Sequence, residues 1–306
     1  MIQQIALFQD MFQKYNAEYF CPLVKQMLSE EELISIVPDY DGWIIGDDVA
    51  TKKVFAAGKK GLLKAAVKWG IGVDNIEFDA AQELGIPITN TPNMFGKEVA
   101  DIAMSYVTAL ARETFYIDRE VRNGSWKKPT GISLAEKKVA LVGFGDIGKN
   151  IARRLIAAEM KVFVYDPFYI ADSVIGELPV FLWPQQLEQM EFIIFACSLT
   201  RQNKYMLNED SITNVKHGVR IVNVARGQLI KETVLVEALK REFVHSVALD
   251  VYENEPLPRN SALRNFEQCI FGSHNSSNTI EAVQRTSERA IEILFQFLHH
   301  HANETR

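Results

Sequence analysis

Gly143, Gly145 and Gly148 form a G-x-G-x-x-G array immediately after the apolar run Val139-Ala140-Leu141-Val142. This is a spacing that binds pyrophosphate. The first glycine permits a tight turn, the second lets the backbone approach the phosphates, and the third lets a helix lie close on its strand. The amides that open that helix, from Asp146 and Ile147, then face negative charge, which the helix dipole favours. Ile147, Ile151, Leu155 and Ala158 mark one face of the helix, and a second strand over Lys161 to Tyr165 ends in Asp166, 18 residues beyond Gly148. An acid roughly 20 residues on accepts hydrogen bonds from a ribose. It also repels a 2′-phosphate, so the expected cofactor is NAD.

A second group of residues follows later apolar runs. Arg226 comes after Val222-Asn223-Val224-Ala225, Glu255 after Ala248-Leu249-Asp250-Val251-Tyr252, and His274 after Ile270-Phe271-Gly272-Ser273. Ligands of open α/β sheets sit beyond the carboxyl ends of the strands. Three strand ends are therefore expected to supply a cation, a carboxylate and an imidazole to one crevice. A forked guanidinium suits a substrate carboxylate and carbonyl. An imidazole suits proton exchange with a carbonyl oxygen near neutral pH, and a carboxylate on its other nitrogen fixes the tautomer and favours the charged form. Taken singly, each residue also reads as ordinary: a surface ion-pair partner, a loop histidine, a turn residue before Pro256. Their common placement after a dinucleotide motif favours hydride transfer on a keto acid.

The elements that must position these groups alternate along the chain, which argues for an α/β fold with parallel sheets. Ile5-Ala6-Leu7-Phe8 reads as a first strand, and Ser29 to Glu32 as a capping box opening a helix. Further strands are expected at Gly42 to Gly46, Leu62 to Lys68 and Ile86 to Thr89, with a helix over Asn75 to Leu84. Val99, Ile102, Ala103, Tyr106, Ala109, Leu110 and Phe115 recur at helical spacing and predict a long crossover helix over Glu98 to Val121. A polar loop is expected over Asn123 to Leu134. The second block then predicts strands at 139–143, 162–166, 192–197, 220–224, 247–251 and 269–272. The helical pattern of Thr279 to Phe297 predicts a return to the first domain. The reading is thus two Rossmann-like or flavodoxin-like domains with an active-site cleft between them: a discontinuous substrate domain, 1–107 plus 278–306, and an NAD-binding domain, 108–277.

Bulk properties exclude several other classes. The chain has 306 residues, is 47% hydrophobic and 24% charged, and carries a net charge of -6, so no nucleic-acid partner is expected. No apolar run approaches the roughly 18 residues of a membrane span, and the first fifteen residues lack the pattern of a signal peptide. The cysteines Cys21, Cys197 and Cys269 are few and scattered, which suits a reducing cytoplasm. His299, His300 and His301 read as a solvated helix end, and no metal site is expected.

Together these blocks resemble the D-isomer-specific 2-hydroxyacid dehydrogenase family, including its phosphoglycerate dehydrogenase-like members. The resemblance is carried by Gly70-Ile71-Gly72-Val73-Asp74-Asn75-Ile76, Gly143 to Gly148, Asn223-Val224-Ala225-Arg226-Gly227, Asp250 to Pro256 and Gly272-Ser273-His274-Asn275. It implies Arg226 as the substrate-binding arginine, His274 as the acid and base, and Glu255 as its partner. It also implies that the Gly70, Ile71, Gly72 loop holds the substrate carboxylate through backbone amides. Asp250 and the Ala225 carbonyl are implied to hold the nicotinamide carboxamide, and a homodimer joined through the cofactor domains is implied as well. The chain departs from the family pattern in three places. Ser273 stands where proline is common, Asp146 where a basic or neutral residue is common, and Glu98 where serine is common. Asp146 suits a helix start, but its side chain is expected to turn away from the pyrophosphate. No regulatory extension is expected after the last helix.

Substrate choice stays open at this level. Gly46-Asp47-Asp48 and Lys68-Trp69 are expected to shape the variable part of the pocket. Lys68 and Lys97 are candidate cations for a phosphorylated substrate, and Asp47 and Asp48 oppose one; solvent-facing side chains are the alternative for either pair. A small acid such as glyoxylate or hydroxypyruvate fits as well. The alternative function is an NAD-sensing, corepressor-like binding protein on the same fold. The glutamate before Pro256 disfavours a formate dehydrogenase-like enzyme.

Overall fold

The fold was obtained as a computed structural model that describes residues 2–23 and 27–304. In chain order, a 3-10 turn over Ile2–Phe8 leads into α1 (Gln9–Lys14) and α2 (Glu30–Ile36), followed by β1 (Gly42–Ile45), α3 (Lys52–Lys60), β2 (Ala65–Lys68), α4 (Phe78–Glu83) and β3 (Ile88–Asn90). Next come α5 (Gly96–Arg112), α6 (Thr114–Arg122), β4 (Lys138–Val142), α7 (Asp146–Ala157), β5 (Lys161–Tyr165), β6 (Phe192–Phe195) and β7 (Val219–Asn223). The chain ends with α8 (Glu232–Lys240), β8 (Val244–Leu249), β9 (Ile270–Phe271) and α9 (Ile280–Glu304).

Two compact units result, one from Met1–Met94 with Thr279–Arg306 and one from Phe95–Asn278. The first contains a three-stranded parallel sheet, ordered β1-β2-β3. One face packs Ala65 and Val67 on Ala290, Ile293 and Leu294 of α9, so the C-terminal helix does return to this unit. The other face packs Ile45 and Ala66 with Leu33, Val54, Phe55 and Ile86. The Ser29 hydroxyl accepts from Glu32 N at 3.2 Å and the Glu32 carboxylate accepts from Ser29 N at 2.8 Å, completing the expected capping box. The expected first strand is instead helical. Ile5, Phe8 and Phe12 recur at helical spacing and bury against Ile291 and Phe295 of α9, an arrangement a strand's alternation could not give. The helix expected from Asn75 begins only at Phe78, because the Asn75 carbonyl accepts from Ala50 N at 2.9 Å and Glu77 N donates to the Ala50 carbonyl at 3.0 Å, a short parallel bridge that a helix could not keep.

The second unit is a six-stranded parallel sheet ordered β5-β4-β6-β7-β8-β9, with Val180 adding a short parallel bridge to Val164 on the β5 edge. Its central strands β4, β6 and β7 are buried on both faces, and β4 and β6 read as near-continuous apolar runs, as parallel sheets require. The long crossover helix expected over Glu98 to Val121 is two helices, α5 and α6, divided at Glu113, whose φ of 54° is left-handed. The segment Phe95–Val107, read from sequence as part of the first domain, groups with the second unit. Arg154 of α7 pairs with Asp101 at 2.6 Å, and the buried Arg220 of β7 donates to the Leu110 carbonyl at 3.2 Å. The first contact ties α5 to α7 and the second ties it to the sheet.

Candidate active site

The register of the large sheet aligns one row of residues at its carboxyl edge. Tyr165 pairs with Val142, Val142 with Phe195, Phe195 with Asn223, Asn223 with Leu249 and Leu249 with Phe271. Every candidate residue of this unit lies just beyond that row. Strand order reverses at β4, with β5 on one side and β6 on the other, and this is where such sheets open a crevice.

The fingerprint glycines have separate tasks there. Gly143 has φ +98°, and a Cβ on it would lie 2.6 Å from Cys197 N where β6 leaves the sheet. A Cβ on Gly148 would lie 2.1 Å from the Gly143 carbonyl oxygen, so α7 sits directly on the turn. A Cβ on Gly145 would meet nothing within 4 Å. Space is therefore left open at the one glycine assigned to phosphate approach, at the start of a twelve-residue helix. Ile147 follows in the first turn. The Asp146 carboxylate lies against Gly96 at the start of α5 and accepts from Asn150 Nδ2 at 3.2 Å. Asp166 is held at the end of β5, its Oδ2 accepting from Phe144 N at 2.7 Å and its Oδ1 from Phe168 N at 2.8 Å. Each carboxylate oxygen keeps acceptor capacity for a ribose hydroxyl. An open glycine, a helix start beside it and an acid at the next strand end fit a dinucleotide.

Further along the same carboxyl edge the structure brings Arg226, Glu255 and His274 into one cluster. His274 Nδ1 lies 2.7 Å from Glu255 Oε2, and Glu255 Oε1 accepts from Tyr252 N at 3.0 Å. Burial pushes the Glu255 carboxyl up. The hydrogen bond and charge of His274, the Tyr252 amide and the nearby Arg226 guanidinium outweigh this and leave it below its usual value. An ionised carboxylate only accepts, so Nδ1 carries the hydrogen and Nε2 is the ring nitrogen left to exchange a proton.

Buried polar side chains and close backbone packing fix this cluster. Asn223 is 1% exposed; its Nδ2 donates to the Arg226 carbonyl at 2.9 Å and its Oδ1 accepts from Ala225 N at 3.0 Å. The Arg226 guanidinium donates to the Ala225 carbonyl at 2.8 Å. A Cβ on Gly227 would lie 1.8 Å from the Tyr252 carbonyl carbon, so the two strand-exit loops touch backbone to backbone. Asp250 is 1% exposed and accepts from Asn275 N at 3.1 Å and Ser276 N at 2.9 Å, while its carbonyl accepts from His274 N at 2.7 Å. Asp250 thus clamps the histidine loop, a task the sequence did not disclose. The signal for Asn223 was present in the sequence: it is a polar residue directly after Ile221 and Val222 in an expected strand.

The loop with Gly70, Ile71 and Gly72 belongs to the other unit. Gly70, at φ +114°, donates its amide to Thr91 Oγ1 at 2.7 Å, and the Ile71 carbonyl accepts from Asn90 Nδ2 at 3.0 Å. Thr91 is fully buried and was missed from sequence because nothing in its type or spacing marks it. Lys68 is 5% exposed rather than solvent-facing; its ammonium donates to the Gly46 carbonyl and lies 3.7 Å from the exposed Asp47 carboxylate. Asp48 accepts from Leu28 N at 2.8 Å. Lys97, at the start of α5, is exposed. Burial holds the thiols of Cys197 and Cys269 up, at about 12 and about 11, so neither is a nucleophile near neutral pH. His299 and His300 are exposed, the His301 side chain lies outside the described residues, and no metal-binding group occurs among the described residues.

Comparison with known proteins identifies the family. Residues 104–276 match the family described as D-isomer specific 2-hydroxyacid dehydrogenase, NAD binding domain. The chain belongs to that family. It is 31% identical to a glyoxylate reductase of Thermofilum pendens over 280 residues, covering 88% of this chain and 82% of the relative. It is 32% identical to a hydroxypyruvate reductase of Thermotoga maritima over 284 residues, covering 90% of each. A solved structure of a Thermus thermophilus protein superposes with a TM-score of 0.86 at 28% identity, covering 95% of this chain and 93% of that one. The protein is accordingly an NAD-dependent oxidoreductase that interconverts a D-2-hydroxy acid and its 2-keto acid. Nothing in the comparisons favours a corepressor-like role. No helix among the described residues is long and apolar enough to cross a membrane.

Proposed function

We propose that Arg226, Glu255 and His274 carry the reaction and that the substrate is a small, unphosphorylated 2-keto acid such as glyoxylate or hydroxypyruvate. One observation carries the assignment: the 2.7 Å His274–Glu255 bond, with the Arg226 guanidinium close enough to lower the Glu255 carboxyl. NAD, when bound, supplies or accepts the hydride. Gly145, the first turn of α7, Asp166, the Ala225 carbonyl and Asp250 would hold it. Arg226 binds and polarises the keto acid through its forked donors. His274 Nε2 gives a proton to the carbonyl oxygen as negative charge develops there, and takes it back in the reverse direction. Glu255 fixes the ring and stabilises the imidazolium. In the Gly70, Ile71, Gly72 loop the Ile71 and Gly72 amides are the proposed donors to the substrate carboxylate, since the Gly70 amide is used by Thr91 Oγ1.

The absence of a phosphate on the substrate is inferred from Lys68, whose ammonium is committed to Gly46 and Asp47. The names of the glyoxylate and hydroxypyruvate reductase relatives point the same way, whereas a D-3-phosphoglycerate dehydrogenase of Sus scrofa, 35% identical over 283 residues, points to a phosphorylated acid, so the substrate panel decides. The test is NADH and NADPH oxidation across a panel of 2-keto acids that includes phosphohydroxypyruvate. Turnover of glyoxylate or hydroxypyruvate with NADH is expected; preference for the phosphorylated acid overturns the substrate assignment. His274→Ala is expected to lower kcat by about a thousandfold, within the range for general acids, while NADH still binds. A variant with full rate removes His274 from the mechanism.

A homodimer is proposed for α6, which has no buried residue yet exposes Phe115 and Val121, with Trp126 78% exposed just beyond it. Trp126→Glu is expected to shift the sedimenting mass toward that of one chain. Three free cysteines suit a reducing, cytoplasmic setting.

A further inference from the structure

We propose that Tyr252 is the positioning residue that sets Glu255 against His274, a role that rests on the catalytic reading above. His274 has φ 55°, a left-handed conformation that is strained for a non-glycine residue. Its loop must be held to keep it. Four loop amides are donors in that grip: Gly272 N to the Leu249 carbonyl at 2.8 Å, His274 N to the Asp250 carbonyl at 2.7 Å, and Asn275 and Ser276 N to the Asp250 carboxylate. The Gly272 carbonyl, two residues before His274, needs a donor of its own. Tyr252 provides it. Its hydroxyl lies 2.7 Å from that oxygen and 3.0 Å from the Leu249 carbonyl, on a side chain only 6% exposed.

The same residue holds the other partner. Tyr252 N donates to Glu255 Oε1, the oxygen that does not face the histidine. One residue therefore fixes Glu255 through its main chain and the histidine loop through its phenol. The position is rigid: the Gly227 backbone packs on the Tyr252 carbonyl, and the ring faces Phe271, 6.5 Å away between centroids. The phenol is never a proton source in the working range, because burial first, then the charges of Tyr106, Asp250 and Glu255, drive its ionisation well upward. Its contribution is geometric. Charged or titratable groups near the pair and Tyr252 among the described residues include Arg226, Asp250, Arg264 and the Tyr106 phenol, which is pushed up to about 12.

Tyr252→Phe keeps the ring and removes only the hydroxyl. The expected result is a fall in kcat of about tenfold, with KM for the keto acid and Kd for NADH within about twofold of the parent. The alkaline limb of kcat for keto-acid reduction should move to lower pH by about half a unit, because a looser Glu255 contact favours the imidazolium less. Placed on His274→Ala, the same change should lower the residual single-turnover rate by no more than about twofold, since a residue acting through the histidine has nothing left to act on. An alkaline limb that superposes on the parent's, or a full tenfold loss repeated in the His274→Ala background, overturns the proposal. If His274→Ala itself keeps the parent rate, the catalytic reading fails instead, so the two failures are distinct.

Discussion

The two halves of the large sheet's carboxyl edge are built on different principles. On the β4–β5 side the work is done by backbone and by missing side chains. Gly143 and Gly148 are in close contact with their neighbours, whereas Gly145 faces open space, within about thirty residues of chain. On the β7–β8–β9 side the work is done by side chains from three strand exits, joined by hydrogen bonds that span 19 to 26 residues of sequence. The first arrangement is local, so a short spacing pattern specifies it. The second exists only once parallel pairing has brought Asn223, Leu249 and Phe271 into one row.

This contrast can be broken at several points. The largest effect is expected from Gly148→Ala. Its Cβ would lie 2.1 Å from a carbonyl oxygen that cannot move without opening the turn, so the variant should lose about 3 kcal/mol or more in urea unfolding. A wild-type midpoint would show that α7 is not locked on the strand. Glu255→Gln, on the side-chain side, should fold and bind NADH but lose kcat by about a hundredfold, because a neutral amide no longer favours the imidazolium.

The same variant sharpens a pH prediction. The Glu255 carboxyl is lowered in the folded state, so its stabilisation is present above the ordinary glutamate range and is lost as pH falls through the lowered value. The parent should be more stable than Glu255→Gln at about pH 7, and their urea midpoints should converge toward about pH 3. A constant gap across that range would show that the ion pair is not what Glu255 contributes.

Asn223→Ala should cost about 1 to 3 kcal/mol, since it leaves a buried amide and carbonyl unpaired. It should raise KM for the keto acid more than it lowers kcat, because the loop it staples carries the Arg226 backbone. The smallest structural effect is expected for Gly145→Ala. With nothing within 4 Å, stability should stay within about 0.5 kcal/mol of the parent, while Kd for NADH, read by fluorescence titration, rises at least about tenfold. A variant that binds NADH normally would remove Gly145 from the cofactor site.

The sequence by itself determined the α/β class, the strands at the centre of the large sheet, the return of α9 and the residue types at each strand exit. Those are properties of local pattern: apolar runs, glycine spacing, and a polar residue closing a buried strand. It misread Ile5 to Phe8, because four apolar residues satisfy a strand and a helix equally until a surface such as Ile291 and Phe295 selects one. It also left Lys68 unplaced and assigned Asp250 and Tyr252 no part in holding His274. Burial and hydrogen-bond partners are set by residues distant in sequence, and only the folded chain brings Gly272, Asn275 and Ser276 to those two side chains.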